Sequence, residues 1–221
     1  MAINWPTDLA EARDIQEQLR SEVITTDAFG ELRFVAGVDA GYEGDHAKAA
    51  VVVFRYPELE PVEYTLAYRP APIPYVSGFL SFREAPAVLA ALDQLTHKPD
   101  LLMCDGQGIA HPRRLGIASH VGVLTDTPSI GCAKSLLCGH HDPVPDERGA
   151  AVPLIHRGEQ IGAVLRSRVG VKPLYISSGH RISLETALTI VVACLTKYRL
   201  PETTRAADAL ASHGKVPHIS A

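Results

Sequence analysis

Two short apolar runs with the composition of buried strands each end in an aspartate, and this pair most constrains what the chain can fold into. The runs are Phe34–Asp39 and Asp100–Asp105, each followed closely by glycine, and Glu84 lies between them. Strand ends hold side chains rigidly, and carboxylates that converge from separate elements are the hard oxygen ligands that Mg²⁺ or Mn²⁺ prefers. The pattern predicts a sheet with a metal site at its strand ends and a bound ligand beside the glycines.

The composition is that of one ordinary globular domain. The chain has 221 residues, 46% hydrophobic and 21% charged, so we expect a single α/β domain over residues 1–221. The net charge of −4 argues against a protein that coats nucleic acid nonspecifically, although it is compatible with a focused site. The first ten residues lack a signal-peptide pattern, and no stretch approaches the roughly 18 apolar residues of a membrane span. We expect a cytoplasmic protein with no membrane partner and no obligate protein partner.

The four cysteines, at positions 104, 132, 138 and 194, form no Cys-x-x-Cys pair. Cys104 and Cys194 lie in apolar runs, which favours buried, reduced thiols. Cys132 and Cys138 offer zinc ligands together with either of the two histidines that follow, but the spacing matches no common structural zinc module. The spacing favours packing and loop positions for both.

Apolar periodicity predicts one helix followed by three strands in quick succession. Residues Asp8–Val23 carry an amphipathic helical pattern with Asp8 near the N-cap, and this helix should pack on the sheet. The segments that join the strands are too short for a crossover helix, which favours an antiparallel meander. The strands are predicted at Arg33–Asp39, Ala49–Tyr56 and Val62–Tyr68.

A helix predicted at Glu84–Leu95 then leads to a fourth strand at Leu101–Cys104. A helical crossover can return this strand parallel to the first, which would bring Asp39 and Asp105 together at neighbouring strand ends. The fold class is therefore α/β, a mixed sheet flanked by helices. Later strands are predicted at Ser129–Ala133, Gln160–Leu165 and Leu174–Ser177, later helices at His111–Leu124, Ser183–Tyr198 and Thr204–Ala211, and the longest polar loop at Gly139–Gly149.

Several longer motifs resemble those of the endonuclease V family, the deoxyinosine-directed repair nucleases. They stand in the family's order, and together they extend the resemblance over roughly residues 10–212. The motifs are Val35–Asp39, Pro74–Glu84, Asp105–His120, Gly131–Ser135, Ser178–Arg181 and Tyr198–Arg205.

The resemblance implies a ribonuclease H-like fold, which agrees with the strand order above. It also implies hydrolysis of the second phosphodiester bond on the 3′ side of a hypoxanthine nucleotide in DNA, with the base left in place, and the same motifs serve inosine-containing RNA. Hydrolysis needs an activated water and neutralisation of negative charge, and two divalent ions about 4 Å apart meet both needs. Mg²⁺ is the expected cofactor, with Mn²⁺ as a substitute.

The resemblance assigns metal binding to four acids. Asp39 is expected to be the bridging or central ligand, Asp105 and Glu84 complete the cluster, and Asp208 falls where the family carries an acid or a histidine near the metals. Taken alone, a strand-end aspartate is more often a cap or turn residue, and Asp208 is more often an exposed helical residue. The matched positions favour the metal site.

Basic residues complete the expected catalytic groups. Lys134 is expected to direct its charge at the scissile phosphate. His111 is expected to position water or phosphate, and a supporting contact behind a metal ligand is the alternative. Arg113 and Arg114 are expected to begin a helix and contact phosphate, although either one taken singly also fits a surface charge.

Tyr75 follows the proline-rich segment Pro70–Pro74 and resembles the family's wedge, which enters the duplex and fills the space left by the flipped base. Hypoxanthine differs from adenine by a carbonyl and a ring N–H, so the base pocket is expected to consist largely of backbone. Taken alone, the glycines of these motifs are equally typical of turns. The candidates for substrate binding are Tyr75, Gly78, Leu80, Gly106, Gly116, Ile117 and Arg113.

Two other classes of protein share this broad fold. A non-catalytic nucleic-acid binding module would have lost an acidic ligand, and a transposase-like or junction-resolving enzyme would lack the segment around Tyr75. Asp39, Glu84, Asp105 and Tyr75 are all present, which favours the nuclease.

One departure from the family pattern predicts a substrate preference. Val76-Ser77 stands where many bacterial relatives have Ile-Pro, and a wedge segment without that proline is softer. Because unpairing and unstacking a base cost a few kcal/mol, we expect single-stranded inosine DNA to be cut at least as well as duplex, with some activity on inosine RNA. Single-turnover rates on the two forms test this, and a duplex preference above about tenfold would contradict it.

Overall fold

The structure is a computed structural model that describes residues 5–71 and 73–219. Pro72 of the expected proline-rich segment lies outside the described residues. The helices are α1 (Leu9–Arg20), α2 (Leu80–Asp93), α3 (Ile117–Thr125), α4 (Leu184–Ala193) and α5 (Glu202–His213). The strands are β1 (Phe34–Glu43), β2 (His46–Arg55), β3 (Glu60–Pro70), β4 (Leu101–Cys104), β5 (Ser129–Ala133), β6 (Ala151–His156), β7 (Glu159–Leu165) and β8 (Leu174–His180).

These strands form one mixed sheet in the order β3-β2-β1-β4-β5-β8-β7-β6. β1, β2 and β3 make the predicted antiparallel meander, and β4 returns parallel beside β1. β5 continues parallel beside β4, and β8, β7 and β6 follow in antiparallel pairs. The predicted α/β class and the parallel pairing of the first and fourth strands are therefore confirmed.

β1 is longer than its sequence pattern predicts, so Asp39 lies inside the strand and not at its end. β2 continues to pair with β1 as far as Glu43, which lies opposite His46. The connection between the two strands is a turn at Gly44 and Asp45, shorter than the segment expected from the sequence.

The neighbour on the other side of β1 is short, and this places the two aspartates together. β4 ends at Cys104, which lies opposite Val38 in the last pair of the β1–β4 register. The Asp105 N–H then donates to the Val38 carbonyl oxygen at 2.8 Å. Asp39 and Asp105 therefore lie side by side at the point where β4 ends and β1 continues. We describe this point as the place where the sheet steps back from β1.

The predicted helix His111–Leu124 begins later than expected, at Ile117. The preceding loop is held to β8 instead, because the Ile109 N–H donates to the Ser178 carbonyl oxygen at 2.8 Å. Within the predicted helix, Arg114 has a φ of +60°, which an α-helix does not allow, and the Gly116 N–H donates to the Gly108 carbonyl oxygen at 2.9 Å. The prediction that Arg113 and Arg114 begin a helix is therefore wrong.

Two later elements also differ from the sequence prediction. No strand is predicted at Ala151–His156, where the structure has β6, because this strand at the edge of the sheet buries little more than Leu154. It pairs with β7 and, through a single bridge at Ile155, with His140. α4 ends at Ala193 and not at Tyr198. The residues that follow turn towards α5.

Helices cover both faces of the sheet. α2 and α3 cover one face, where Val38 packs with Val88, and α5 covers the opposite face of β1 and β2, where Val52 packs with Leu210. α1 packs on the first turn of α2 and the residue before it rather than directly on the sheet as expected, since its Ala12 joins a cluster with Phe79 and Phe82. Within the described ranges, no helix combines the length and apolar character needed to cross a membrane.

α5 approaches β1 so closely that only glycine fits at position 37. A Cβ atom there would lie 2.0 Å from the Thr203 carbonyl oxygen of α5. We expect Gly37→Ala to lower the free energy of unfolding, measured by urea denaturation, by roughly 1–3 kcal/mol, the usual cost of overpacking. Gly41→Ala in the same strand is the matched control, because nothing lies within 4 Å of its Cβ position. Equal stability of the two variants would contradict the close approach of α5.

Candidate active site

Three aspartates from three different elements meet where the sheet steps back from β1. Asp39 belongs to β1, Asp105 directly follows β4, and Asp208 belongs to α5. One carboxylate oxygen of each lies within 4.8 Å of the other two. Among the described residues this is the one group of acid, histidine or cysteine side chains spaced to hold a metal ion, and Cys132 and Cys138 are not part of it. We call these three aspartates the carboxylate cluster.

Glu84, the fourth predicted acid, approaches from α2 and is 7% exposed. It accepts a hydrogen bond of 3.3 Å from the hydroxyl of Tyr42. Glu84 lies outside the group of three, but its ionisation responds to the charges of Asp39 and Asp105. The sequence gives no signal for Tyr42, because the strand pattern ends at Asp39.

Burial makes the ionised state of these acids costly. Burial, followed by the charge of Asp105, raises the pKa of Asp39 to about 7. Burial, followed by the charge of Asp39, raises the pKa of Glu84 to about 8, and burial also raises the pKa of Asp105 above its ordinary value. Acids held together in this way are stabilised by any positive charge placed between them.

Lys134 supplies one such charge from the protein itself. It directly follows β5, and its Nζ lies 2.5 Å from Asp105 Oδ2 and 2.5 Å from Asp208 Oδ1. Partial burial lowers the pKa of Lys134, but its bonds to the two carboxylates outweigh burial and raise the pKa above its ordinary value. Lys134 is therefore protonated, and it lies beside the predicted metal ligands.

A cavity of about 340 Å³ opens beside the carboxylate cluster. Its volume is in the range of small-molecule sites. The predicted residues that line it are Tyr75, Gly78, Leu80, Glu84, Asp105, Gly106, His111, Gly116, Ile117 and Lys134. Arg113 instead lies against the Gly78 turn, with its guanidinium carbon 4.2 Å from the centre of the Phe79 ring.

Three glycines, Gly78, Gly106 and Gly116, line the cavity and contribute only backbone to its wall. A Cβ atom on Gly106 would lie 2.5 Å from Ile117 Cγ2, and one on Gly116 would lie 2.2 Å from the Gln107 carbonyl oxygen. Gln107, which is not among the predicted site residues, joins this wall to the segment after β5, because its Nε2 donates to the Ser135 carbonyl oxygen at 2.9 Å. Its position between two glycines of a matched motif is the signal that could have identified it.

His111 is buried, and both of its ring nitrogens contact backbone. Nδ1 accepts a hydrogen bond of 3.2 Å from the Arg113 N–H, so the ring proton lies on Nε2, which donates to the Gly78 carbonyl oxygen at 3.1 Å. Burial, followed by the charge of Arg113, lowers the pKa of His111 to about 4. The histidine is therefore neutral at pH 7, and its contacts position the cavity wall.

A mixed sheet carries acids on its first strand, just after its fourth strand and on the last helix, all beside a cavity. This is the arrangement of a nuclease with the ribonuclease H-like fold. The family model for endonuclease V matches residues 17–209. Endonuclease V of Roseiflexus castenholzii is 66% identical over 213 residues, which are 96% of each protein. The chain belongs to the endonuclease V family.

Solved structures agree with this assignment. The crystal structure of endonuclease V from Streptomyces avermitilis superposes with a TM-score of 0.91 at 43% identity, over 97% of this chain and 96% of that one. Ciona intestinalis endonuclease V, in complex with a 24-mer DNA containing an inosine followed by a ribo-adenosine, gives a TM-score of 0.80 at 32% identity, over 93% and 96% of the two chains. The predicted family, fold and nuclease activity are confirmed.

The raised pKa values predict how the stability of the metal-free protein depends on pH. Glu84 titrates at about 8 in the folded protein against 4.5 ordinarily, so over this range the folded state retains a proton that the unfolded state has lost. The free energy of unfolding should therefore fall as pH rises from 4.5 to about 8, and Mg²⁺ should restore it mainly at the upper end. Thermal melts of the wild type and Glu84→Gln isolate this contribution, and an identical pH dependence of the two would contradict it.

Proposed function

We propose that this protein is a metal-dependent deoxyribonuclease that recognises deoxyinosine and hydrolyses the second phosphodiester bond on its 3′ side. The observation that carries the proposal is the carboxylate cluster beside a cavity that is lined in part by glycine backbone. The cluster suits hydrolysis of a phosphodiester, and the cavity suits a base taken out of the stack. The inosine in the DNA bound to the Ciona relative supports this substrate.

The donor set of the carboxylate cluster fits Mg²⁺, with Mn²⁺ as a substitute. Asp39, Asp105 and Asp208 would hold the metal through carboxylate oxygens, and Glu84 would complete the set from α2. The ion pairs of Lys134 support this fit, since the cluster already accommodates positive charge. When bound, divalent ions acidify a water molecule and neutralise the charge that develops on the phosphate.

The cavity would recognise hypoxanthine through its backbone. Hypoxanthine presents a carbonyl and a ring N–H where adenine presents an amino group and a bare ring nitrogen, and a backbone wall offers both a donor and an acceptor. Gly106 and Gly116 let the loop after β4 pack closely on the start of α3 and so form this wall, and Ile117 and Leu80 provide apolar surface for the base. A pocket that recognises the base edge does not sense the sugar 2′-hydroxyl, so the proposal extends to inosine-containing RNA.

Tyr75 and Lys134 would act on the strand around the extracted base. Tyr75 lines the cavity but is 68% exposed, so its ring can enter the duplex and fill the space that the base leaves. Lys134 lines the same cavity, and its ammonium group can donate to the scissile phosphate from beside the carboxylate cluster. The presence of the whole acidic set disfavours a non-catalytic binding module.

Removal of a single ligand should separate chemistry from binding. We expect Asp39→Ala and Asp105→Ala to abolish nicking of DNA with one inosine while binding remains measurable, because loss of the metal removes the chemistry before the DNA contacts. End-labelled oligonucleotides with and without inosine, in Mg²⁺ or EDTA, measure nicking, and gel shifts measure binding. Asp93→Ala, at the exposed end of α2, is the control. Nicking by either variant within about tenfold of wild type would exclude the cluster as the catalytic site.

The wedge role of Tyr75 predicts a graded effect of two substitutions. Tyr75→Ala should weaken the selection of inosine in duplex DNA more than Tyr75→Phe, because a stacked aromatic ring is worth about 1–3 kcal/mol and phenylalanine keeps it. Catalytic efficiencies on inosine and adenosine duplexes measure this selection, with Tyr64→Ala on β3 as the control. Equal efficiencies for wild type and both Tyr75 variants would rule out the wedge.

A further inference from the structure

The carbonyl oxygen of Gly78 accepts hydrogen bonds from three side chains that lie far apart in the sequence. The distances are 2.9 Å from Gln16 Nε2, 2.6 Å from Arg113 Nη2 and 3.1 Å from His111 Nε2. A carbonyl oxygen has two lone pairs, so three donors saturate it and fix its direction. We call these three side chains the Gly78 clamp.

Gln16 is the member of the Gly78 clamp whose polar side chain is not explained by its position on the buried face of α1. It is 0% exposed, whereas its neighbours Glu17 and Gln18 on α1 are exposed. Its Oε1 accepts a hydrogen bond from Arg113 Nε, so both ends of the amide are used. A buried amide is costly unless it is paired, and an apolar side chain would fill the same space at lower cost. The hydrogen bonds that its side chain makes therefore account for a glutamine at this position.

The Gly78 clamp holds the turn that separates Tyr75 from α2. The Phe79 N–H donates to the Val76 carbonyl oxygen at 3.0 Å, and Gly78 has a φ of +82°, as in the third position of a type II turn. The peptide group between Gly78 and Phe79 is thus fixed at its carbonyl by the clamp and at its N–H by Val76. Ser77 lacks the ring with which a proline would fix φ, and the clamp supplies rigidity from outside the turn.

We propose that Gln16 is a positioning residue for base extraction. It holds the Gly78 carbonyl, and through this carbonyl it keeps Tyr75 and the cavity residues next to Gly78 in the position that extraction of a base from a duplex requires. The inference rests on the proposed function. Gln16 acts at Gly78 and not at the carboxylate cluster, so its loss should affect the step in which a paired base is extracted. A single strand avoids most of that step.

The test compares cleavage of duplex and single-stranded inosine DNA. Gln16→Leu keeps the volume and removes both bonds, Gln16→Glu keeps the acceptor for Arg113 and removes the donor to Gly78, and Gln18→Leu on the exposed face of α1 is the control. We expect Gln16→Leu to lower the single-turnover rate on duplex at least about tenfold, as misplaced contacts do, and to leave the single-strand rate within about threefold. Gln16→Glu should change the duplex-to-single-strand ratio in the same direction by less.

Hydrogen exchange of the 74–82 segment gives a second readout that does not depend on activity. Gln16→Leu and Gln16→Glu should exchange faster there than wild type, while Gln18→Leu should not. Unchanged exchange in both Gln16 variants, or an unchanged ratio of the two cleavage rates, would overturn the inference. If wild type itself cuts no inosine substrate, the proposed function fails on its own, and the exchange result still decides whether Gln16 holds the turn. Should Gln16→Leu not fold, Gln16→Glu decides both measurements.

Discussion

The site depends on a fold that holds three partly buried carboxylates together against their mutual repulsion. Asp39, Asp105 and Asp208 reach one point from three separate elements, and burial adds to the cost of the charges on Asp39 and Asp105. Lys134 offsets part of this cost with two ion pairs. The packing of the sheet and helices must supply the rest, since strain at a functional site persists only where the surrounding structure determines it. A site built in this way favours added positive charge.

One feature of the topology positions both the carboxylate cluster and the cavity. β4 stops at Cys104 while β1 continues beside β2, and the resulting step leaves Asp39 and Asp105 level at an open end of the sheet. The loop after β4 fills part of that step, and its backbone forms the cavity wall beside Ile117. α5 reaches the same place because Gly37 lets it lie directly on β1. The proposed sites of chemistry and of base recognition are therefore adjacent.

The sequence predicts the centre of this arrangement and not its supports. Apolar periodicity and the short connections leave few topologies, so Asp39 and Asp105 can be placed together from the sequence, and motif resemblance adds Asp208. Hydrogen bonds between residues far apart in the sequence determine the supporting parts of the site. The length of β1 depends on its pairing with β2. Gln16 is buried at its contact with Gly78, a residue that lies 62 positions away in the sequence. Neither relation leaves a periodic signal in the chain.

Direct binding of Mg²⁺ or Mn²⁺ to the protein in the absence of DNA tests the central claim, that the fold assembles these acids into a cation site. Calorimetric titration with Mg²⁺ and electron paramagnetic resonance with Mn²⁺ should show binding to the wild type. Asp39→Asn and Asp208→Asn should each weaken binding at least about tenfold, while Asp93→Asn should leave it unchanged. Affinities for the metal that are the same in all four proteins would contradict the account.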